Sequence, residues 1–209
     1  MRPRWWHAVC ALTLLLAGCA ALRSPPDVRT YRLAYPPPEP AGTAPLPVTL
    51  RVIPFGIAAA YDQQAFIYRS GPYDTGFDYY NRWIANPASM ISDLIARDLA
   101  ASHAVQAVLQ APSALPADYE LNGQVETLEE RDDGGACTAH LRLRVILVRV
   151  PPRAPRRVVM QDSFAADEPC PGGSAEAYAE AMSRAVQRIS DQVRAAVLSA
   201  ITTERDTPA

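Results

Sequence analysis

The sequence of 209 residues is 49% apolar and 20% charged, with a formal charge of −2, the balance of one ordinary globular domain. So small a net charge does not suit a chain that lives on nucleic-acid phosphates, and the Val, Leu, Ile and Tyr spread throughout exclude full disorder. All 20 basic residues are arginine, which excludes Schiff-base chemistry and a lysine general base.

Arg2 and Arg4 precede an apolar run from Trp5 to Leu16 that ends in Leu16-Ala17-Gly18-Cys19, the charged, apolar and small-residue regions of an export signal. The run contains His7 and falls short of the about 20 apolar residues that a bilayer-crossing helix needs. A cysteine directly after Leu-Ala-Gly resembles the lipobox of bacterial lipoproteins. That resemblance implies lipidation of the Cys19 thiol, cleavage before it, and acylation of the new amino terminus. The chain then divides into a signal (residues 1–18), a lipidated tether (19–27), one domain (28–203) and a disordered tail (204–209). Losing residues 1–18 removes two arginines and leaves 191 residues at −4. Attachment must then come from acyl chains and not from attraction to anionic lipid. Ala20 stands where Gram-negative lipoproteins carry an acidic inner-membrane retention signal, so the resemblance implies the outer membrane, with the domain facing the periplasm.

Val28 to Ala34 reads as a first strand, followed by the loop Tyr35 to Pro47, whose six prolines disfavour regular pairing. Val48 to Ile53 alternates apolar and polar residues, as a half-buried strand does. Strands at Ala65 to Arg69 and Gly76 to Tyr80 follow, separated by Ser70-Gly71-Pro72. Asn86-Pro87 is a helix start, with Asn as the cap and Pro at the first position, where its missing N–H costs nothing. Met90, Ile91, Leu94, Ile95 and Leu99 form one helix face, and the helix is expected to end between His103 and Leu109.

Tyr119 to Glu130 and His140 to Val150 alternate in the same way, and pairs summing to 268 place Val125 opposite Leu143 and Glu126 opposite Arg142. The turn then centres on Gly134, in an odd-length loop where Gly134 or Gly135 takes the left-handed conformation. Asp132-Asp133 lacks the spaced ligands of a calcium loop and reads as a solvated turn. A strand from Arg157 to Ala165, paired with sums of 307, sets Leu147 against Met160, Leu143 against Phe164 and Cys137 against Cys170. That opposition suits a disulfide in an oxidising compartment; the alternative is two unpaired buried thiols. Ser174 caps a long helix to about Thr202 with the stripe Tyr178, Met182, Ala185, Ile189, Val193, Val197, Ile201. The class expected is α+β, a mainly antiparallel sheet with two helices packed on one face.

Ile67-Tyr68-Arg69-Ser70, then Phe77 to Pro87, leading into Met90 to Leu99, resemble the signature of the PqiC-type ABC-transport auxiliary lipoproteins, partners of MCE-domain lipid transport systems. In that family an "I-x-Y-R" strand precedes a "Y-x-x-x-W-x-x-x-P" lead-in to the first helix, and Tyr79, Trp83 and Pro87 hold those places. The resemblance implies a non-enzymatic subunit, without cofactor, metal or nucleic acid, that docks an MCE-domain protein and the inner-membrane permease and ATPase at the outer membrane. Phospholipid would be the cargo, and a homo-oligomer would suit a ring-shaped partner. Eight of the 14 aromatic residues beyond position 18 fall between 61 and 83. Neighbouring residues on a strand face opposite ways, so Tyr79 and Tyr80 cannot both enter the core. The signature residues Tyr68, Arg69, Tyr73, Tyr79, Tyr80, Trp83 and Pro87 are therefore candidates for partner contact, with Trp83 most simply a core residue. Two other functions stand beside this one. A scaffold for another envelope machine is compatible with the same fold class. An anchored hydrolase is disfavoured by the missing Gly-x-Ser-x-Gly elbow and by only two dispersed histidines beyond residue 18, His103 and His140.

Overall fold

A computed structural model describes residues 27–132 and 134–206. The expected signal, Cys19 and nearly all of the tether lie outside the described residues, as do positions 207–209. The elements in chain order are β1 (Arg29–Tyr31), β2 (Leu46–Val52), β3 (Gly56–Ile57), a single 3-10 turn (Ala59–Tyr61), β4 (Ala65–Arg69), β5 (Thr75–Trp83), α1 (Pro87–Ala101), β6 (Val105–Gln110), β7 (Tyr119–Asp132), β8 (Cys137–Arg149), β9 (Arg157–Pro169) and α2 (Ala175–Asp206).

The strands form one nine-stranded sheet, with β7 as its spine. One edge of β7 pairs antiparallel with β8, which pairs in turn with β9. Its other edge takes three parallel partners in succession: β2 at Leu50–Val52, β3 at Gly56–Ile57 and β4 at Tyr68–Arg69. Beyond them β6 lies parallel to β2, and β1 parallel to β5, which closes an antiparallel hairpin with β4. The expected α+β class holds. The long antiparallel meander dominates the sheet, while the parallel pairings join segments too far apart in sequence for any local pattern to foretell.

The meander follows the expected register over most of its length: Val125 opposes Leu143, Leu147 opposes Met160, and Leu143 opposes Phe164. It departs at Glu126. A bulge between Val125 and Thr127 sets Thr127, not Glu126, against Arg142, and Glu126 pairs instead with Arg144 at 3.1 Å. The bulge has a packing cause. The inward residues of β7 run Leu121, Val125 and then Leu128, a spacing of three that an uninterrupted strand would turn outward. With one residue extra, Leu128 meets Leu141 on the same face. The slip also changes the turn: the ladder reaches Asp132 opposite Cys137, leaving four residues between them in place of an odd-length loop. Gly134 and Gly135 both take positive φ there, at 72° and 91°.

Other expectations shift at their ends. The first strand is only three residues long, after which Leu33 is buried and the Ala34 N–H donates to Ser183 Oγ. The strand expected at Gly76 to Tyr80 extends to Trp83. The first helix stops at Ala101, earlier than expected, because His103 adopts φ 52° and turns the chain back. Val105 to Gln110 is then a strand and not a helical turn, its backbone groups satisfied by β2. The second helix runs to Asp206, and Glu204 is held by Arg149 and Arg157, so residues 204–206 are helical and not part of a tail.

Every residue of the expected α2 stripe, Tyr178 to Ile201, has no solvent exposure. It packs on β8 and β9, and α1 packs along α2 and on β6, which puts both helices over one continuous core. Their junction is polar. Asp98 of α1, buried at 2% exposure, accepts from Tyr35 Oη at 2.8 Å, Ser190 Oγ at 2.6 Å and the Arg97 guanidinium. Burial and the neighbouring carboxylate push the Tyr35 hydroxyl well above its ordinary pKa, so it stays a donor.

Cys137 and Cys170 form the disulfide that their register suggests, across a sequence separation of 33. Closing that loop contributes about 3–4 kcal/mol in the loop-closure account. Reduction, or Cys170→Ser, is expected to lower the thermal midpoint by roughly 6–16 °C. A calorimetric shift near zero would mean that the β8–β9 ladder alone holds this end.

Candidate functional site

The aromatic segment singled out in the sequence folds as the β4–β5 hairpin at one edge of the sheet. Its halves have opposite fates. Phe66 and Trp83 turn into the core, 4.5 Å apart between ring centres, and Tyr178 and Tyr31 complete the cluster around Phe66 at 5.0 and 5.2 Å. Trp83 is 1% exposed and Pro87 is buried at the first position of α1, where the Asn86 side chain accepts from the Ala88 and Ser89 N–H groups. These two signature residues shape the fold and are not surface contacts.

The remaining aromatics face out. Tyr73, at the turn, is 98% exposed, and Phe77, Tyr79, Tyr80 and Tyr68 are all exposed, joined by Ile84. Tyr68 packs across Gly76, where any Cβ would collide with its ring. Arg69 is spent inward on the buried Glu129, at 3.1 Å.

Neighbouring Tyr79 and Tyr80 are both exposed because the hairpin is bulged. Ala65 opposes Arg82 but Phe66 opposes Asp78, which leaves Tyr79, Tyr80 and Asn81 without partners on β4. Asp78 builds the bulge. One carboxylate oxygen accepts from the Tyr80 and Asn81 N–H groups at 2.8 and 3.1 Å, and the other accepts from the Asn81 side-chain amide at 2.6 Å. The two tyrosine rings meet edge to face at 5.3 Å, and the Arg82 guanidinium lies 5.7 Å from the Tyr79 ring. The bulge also receives β1, with Arg29 beside Asn81. Sequence reasoning missed Asp78, Phe77 and Ile84. The pattern Asp-x-Tyr-Asn, a short carboxylate two and three residues before the amides it caps, was the available signal.

Behind the hairpin, on neighbouring strands, lies a charged cluster. Glu129 accepts from Tyr61 Oη at 2.7 Å and Arg131 Nε at 3.0 Å, and His140 Nδ1 meets Asp167 at 2.6 Å. Burial, and then the bond to Glu129, raise the Tyr61 pKa to about 12. The His140–Asp167 pair is the one feature here that resembles catalytic machinery. The nearby cysteines are joined to each other, which removes them as thiolate nucleophiles. Among the described residues no group of three or more His, Cys, Asp or Glu is arranged to hold a metal, and no helix is long and apolar enough to cross a membrane. A cleft of about 1240 Å³ has Asp118, Arg149, Arg156, Arg157, Glu204 and Arg205 among its lining residues. Three of these arginines are engaged with acids of the same chain, Arg149 and Arg157 with Glu204 and Arg156 with Glu120.

Fold and surface define a class: two helices on a mixed sheet, with an exposed aromatic hairpin at one edge. The chain belongs to the family of ABC-type transport auxiliary lipoprotein components, whose model matches residues 31–194. Among solved structures it is similar to protein XCC0632 from Xanthomonas campestris, of family DUF330, at 20% identity and a TM-score of 0.77, covering 86% of this chain and 100% of that one. It is also similar to the hypothetical protein CT253 from Chlamydia trachomatis, at 13% identity and a TM-score of 0.51, covering 74% and 98%. Both likenesses are of fold. No curated protein matches the chain.

Glu130 lies between Tyr68 and Ala139 on neighbouring strands, and burial, then Asp132 and Asp78, raise its pKa above the ordinary 4.5. A carboxyl raised in the fold favours folding when protonated, and that benefit is lost as pH rises through the folded pKa. Glu130→Gln should therefore raise the thermal midpoint at neutral pH, with the gain shrinking toward about pH 4. Melts at both pH values check this, and a gap independent of pH would contradict it.

Proposed function

We propose that this chain is an outer-membrane-anchored lipoprotein, facing the periplasm, that docks an MCE-type phospholipid transport assembly at that membrane. Its partners would be an MCE-domain protein and, through it, the inner-membrane permease and ATPase. The observation that carries the reading is the family match over residues 31–194. Leu16-Ala17-Gly18-Cys19 supplies the lipidation site such a subunit needs, and Ala20 in place of an acidic residue favours outer-membrane sorting. The formal charge of −4 beyond residue 18 leaves acyl chains on Cys19 as the means of attachment. The exposed aromatics of the β4–β5 hairpin support a role in contact, since large amphipathic rings are favoured where a surface is to be covered.

Affinity capture of the tagged, acylated chain at native levels from solubilised envelopes should recover an MCE-domain protein, and fractionation should find the chain with the outer membrane. Cys19→Ser should move it to the soluble fraction. Recovery of secretion components in place of an MCE protein would favour an envelope scaffold of another kind, and an unchanged location of Cys19→Ser would refute the anchor.

A further inference from the structure

We propose that the tip of the β4–β5 hairpin, with the Tyr79–Tyr80 bulge beside it, rests in the headgroup region of the bilayer that anchors the chain. The inference rests on Cys19 as the lipidated residue and adds an orientation to it.

Direction carries the argument. β1 runs parallel to β5, with Arg29 beside Asn81 and Tyr31 beside Trp83. β1 therefore enters the sheet from the side from which β5 arrives, the side of the Tyr79–Tyr80 bulge and the hairpin tip. The nine steps from Val28 to Cys19 reach about 30 Å at most. From Asn81 back to Thr75 a strand covers about 20 Å. An anchor on Cys19, within that reach of Val28, keeps the end of the domain that carries the tip close to the membrane.

The side chains there match what a bilayer surface binds. Tyr73, Phe77, Tyr79 and Tyr80 are large and exposed, and tyrosine places an apolar ring beside a hydroxyl that stays in water, the chemistry that concentrates such residues at membrane interfaces. Charges around the tip and bulge are mixed: Asp74 and Asp78 are acidic, Arg29 and Arg82 basic, and Arg69 is bound to Glu129. A surface of balanced charge does not select anionic headgroups and suits zwitterionic ones. The carboxylate of Asp78 is held by its own bulge. That bulge fixes both tyrosine rings outward before any membrane is met, so little ordering remains to oppose the contact.

Tryptophan fluorescence of the full acylated chain tests this in phosphatidylcholine and phosphatidylethanolamine vesicles with brominated acyl chains. Trp83, the only tryptophan beyond residue 18, is buried and serves as a constant background. Tyr73→Trp and Tyr79→Trp place reporters at the tip and the bulge. Leu115→Trp places one at the opposite end of β7, where the natural side chain is also exposed. Quenching at 73 and 79 should exceed that at 115 at least about threefold, as interfacial burial requires. Equal quenching, or more at 115, overturns the orientation while flotation of the chain with vesicles still upholds the anchor. A chain that does not float overturns both. Unquenched reporters at 73 and 79 that cross-link to a second copy overturn the proposal in favour of self-association.

Discussion

The face of α2 from Tyr178 to Ile201 has no solvent exposure, and so long a buried stripe needs an apolar surface of matching length. The stripe runs about 35 Å along the helix. A strand of 13 residues spans about 44 Å, so only long meander strands such as β8 and β9 can cover it. That requirement reaches into details. β7 must keep its apolar residues under the helices for its whole length, and because Val125 and Leu128 fall three apart it does so with a bulge. The bulge moves the turn, so that Asp132 faces Cys137, the first residue of β8. The opposite edge of β7 is left open in three steps, which β2, β3 and β4 occupy.

Through β4 the same spine positions the hairpin. Phe66 and Trp83 belong to the core that α2 closes, touching Tyr178, while Tyr68, Tyr73, Phe77, Tyr79 and Tyr80 face out. One segment thus serves two purposes, and Asp78 divides them by turning three residues of β5 out of the ladder. Because β1 joins at that bulge, the proposed tether leads into the domain on the side of the exposed aromatics. Under the proposed anchoring at Cys19, the fold then decides which end of the domain faces the membrane.

Much of this is legible in the sequence, for local reasons. The α2 stripe, the Asn86-Pro87 start and the β8–β9 register are each set by spacing within a few turns or across one short link, and the cysteine pairing follows from that register. What was hidden depended on distant partners. Val105 to Gln110 follows an alanine-containing helix with no strong breaker, and only its parallel partner β2 makes it a strand. The three-residue spacing from Val125 to Leu128 was a visible sign of the bulge, but alternation alone passes over it. At the candidate site, the clustering of aromatics between 61 and 83 is plain, and Trp83 reads as a core residue, but alternation requires only one of Tyr79 and Tyr80 to face out. The hairpin register and the hydrogen bonds of Asp78 leave both exposed.

The most direct test of the central claim, that this anchored domain serves phospholipid transport, is isotopic pulse-chase of phospholipid between inner and outer membranes in cells that depend on this system. Deletion of the chain should slow exchange, the acylated form should restore it, and Cys19→Ser should not. Exchange at the parental rate in the deletion strain would contradict the account.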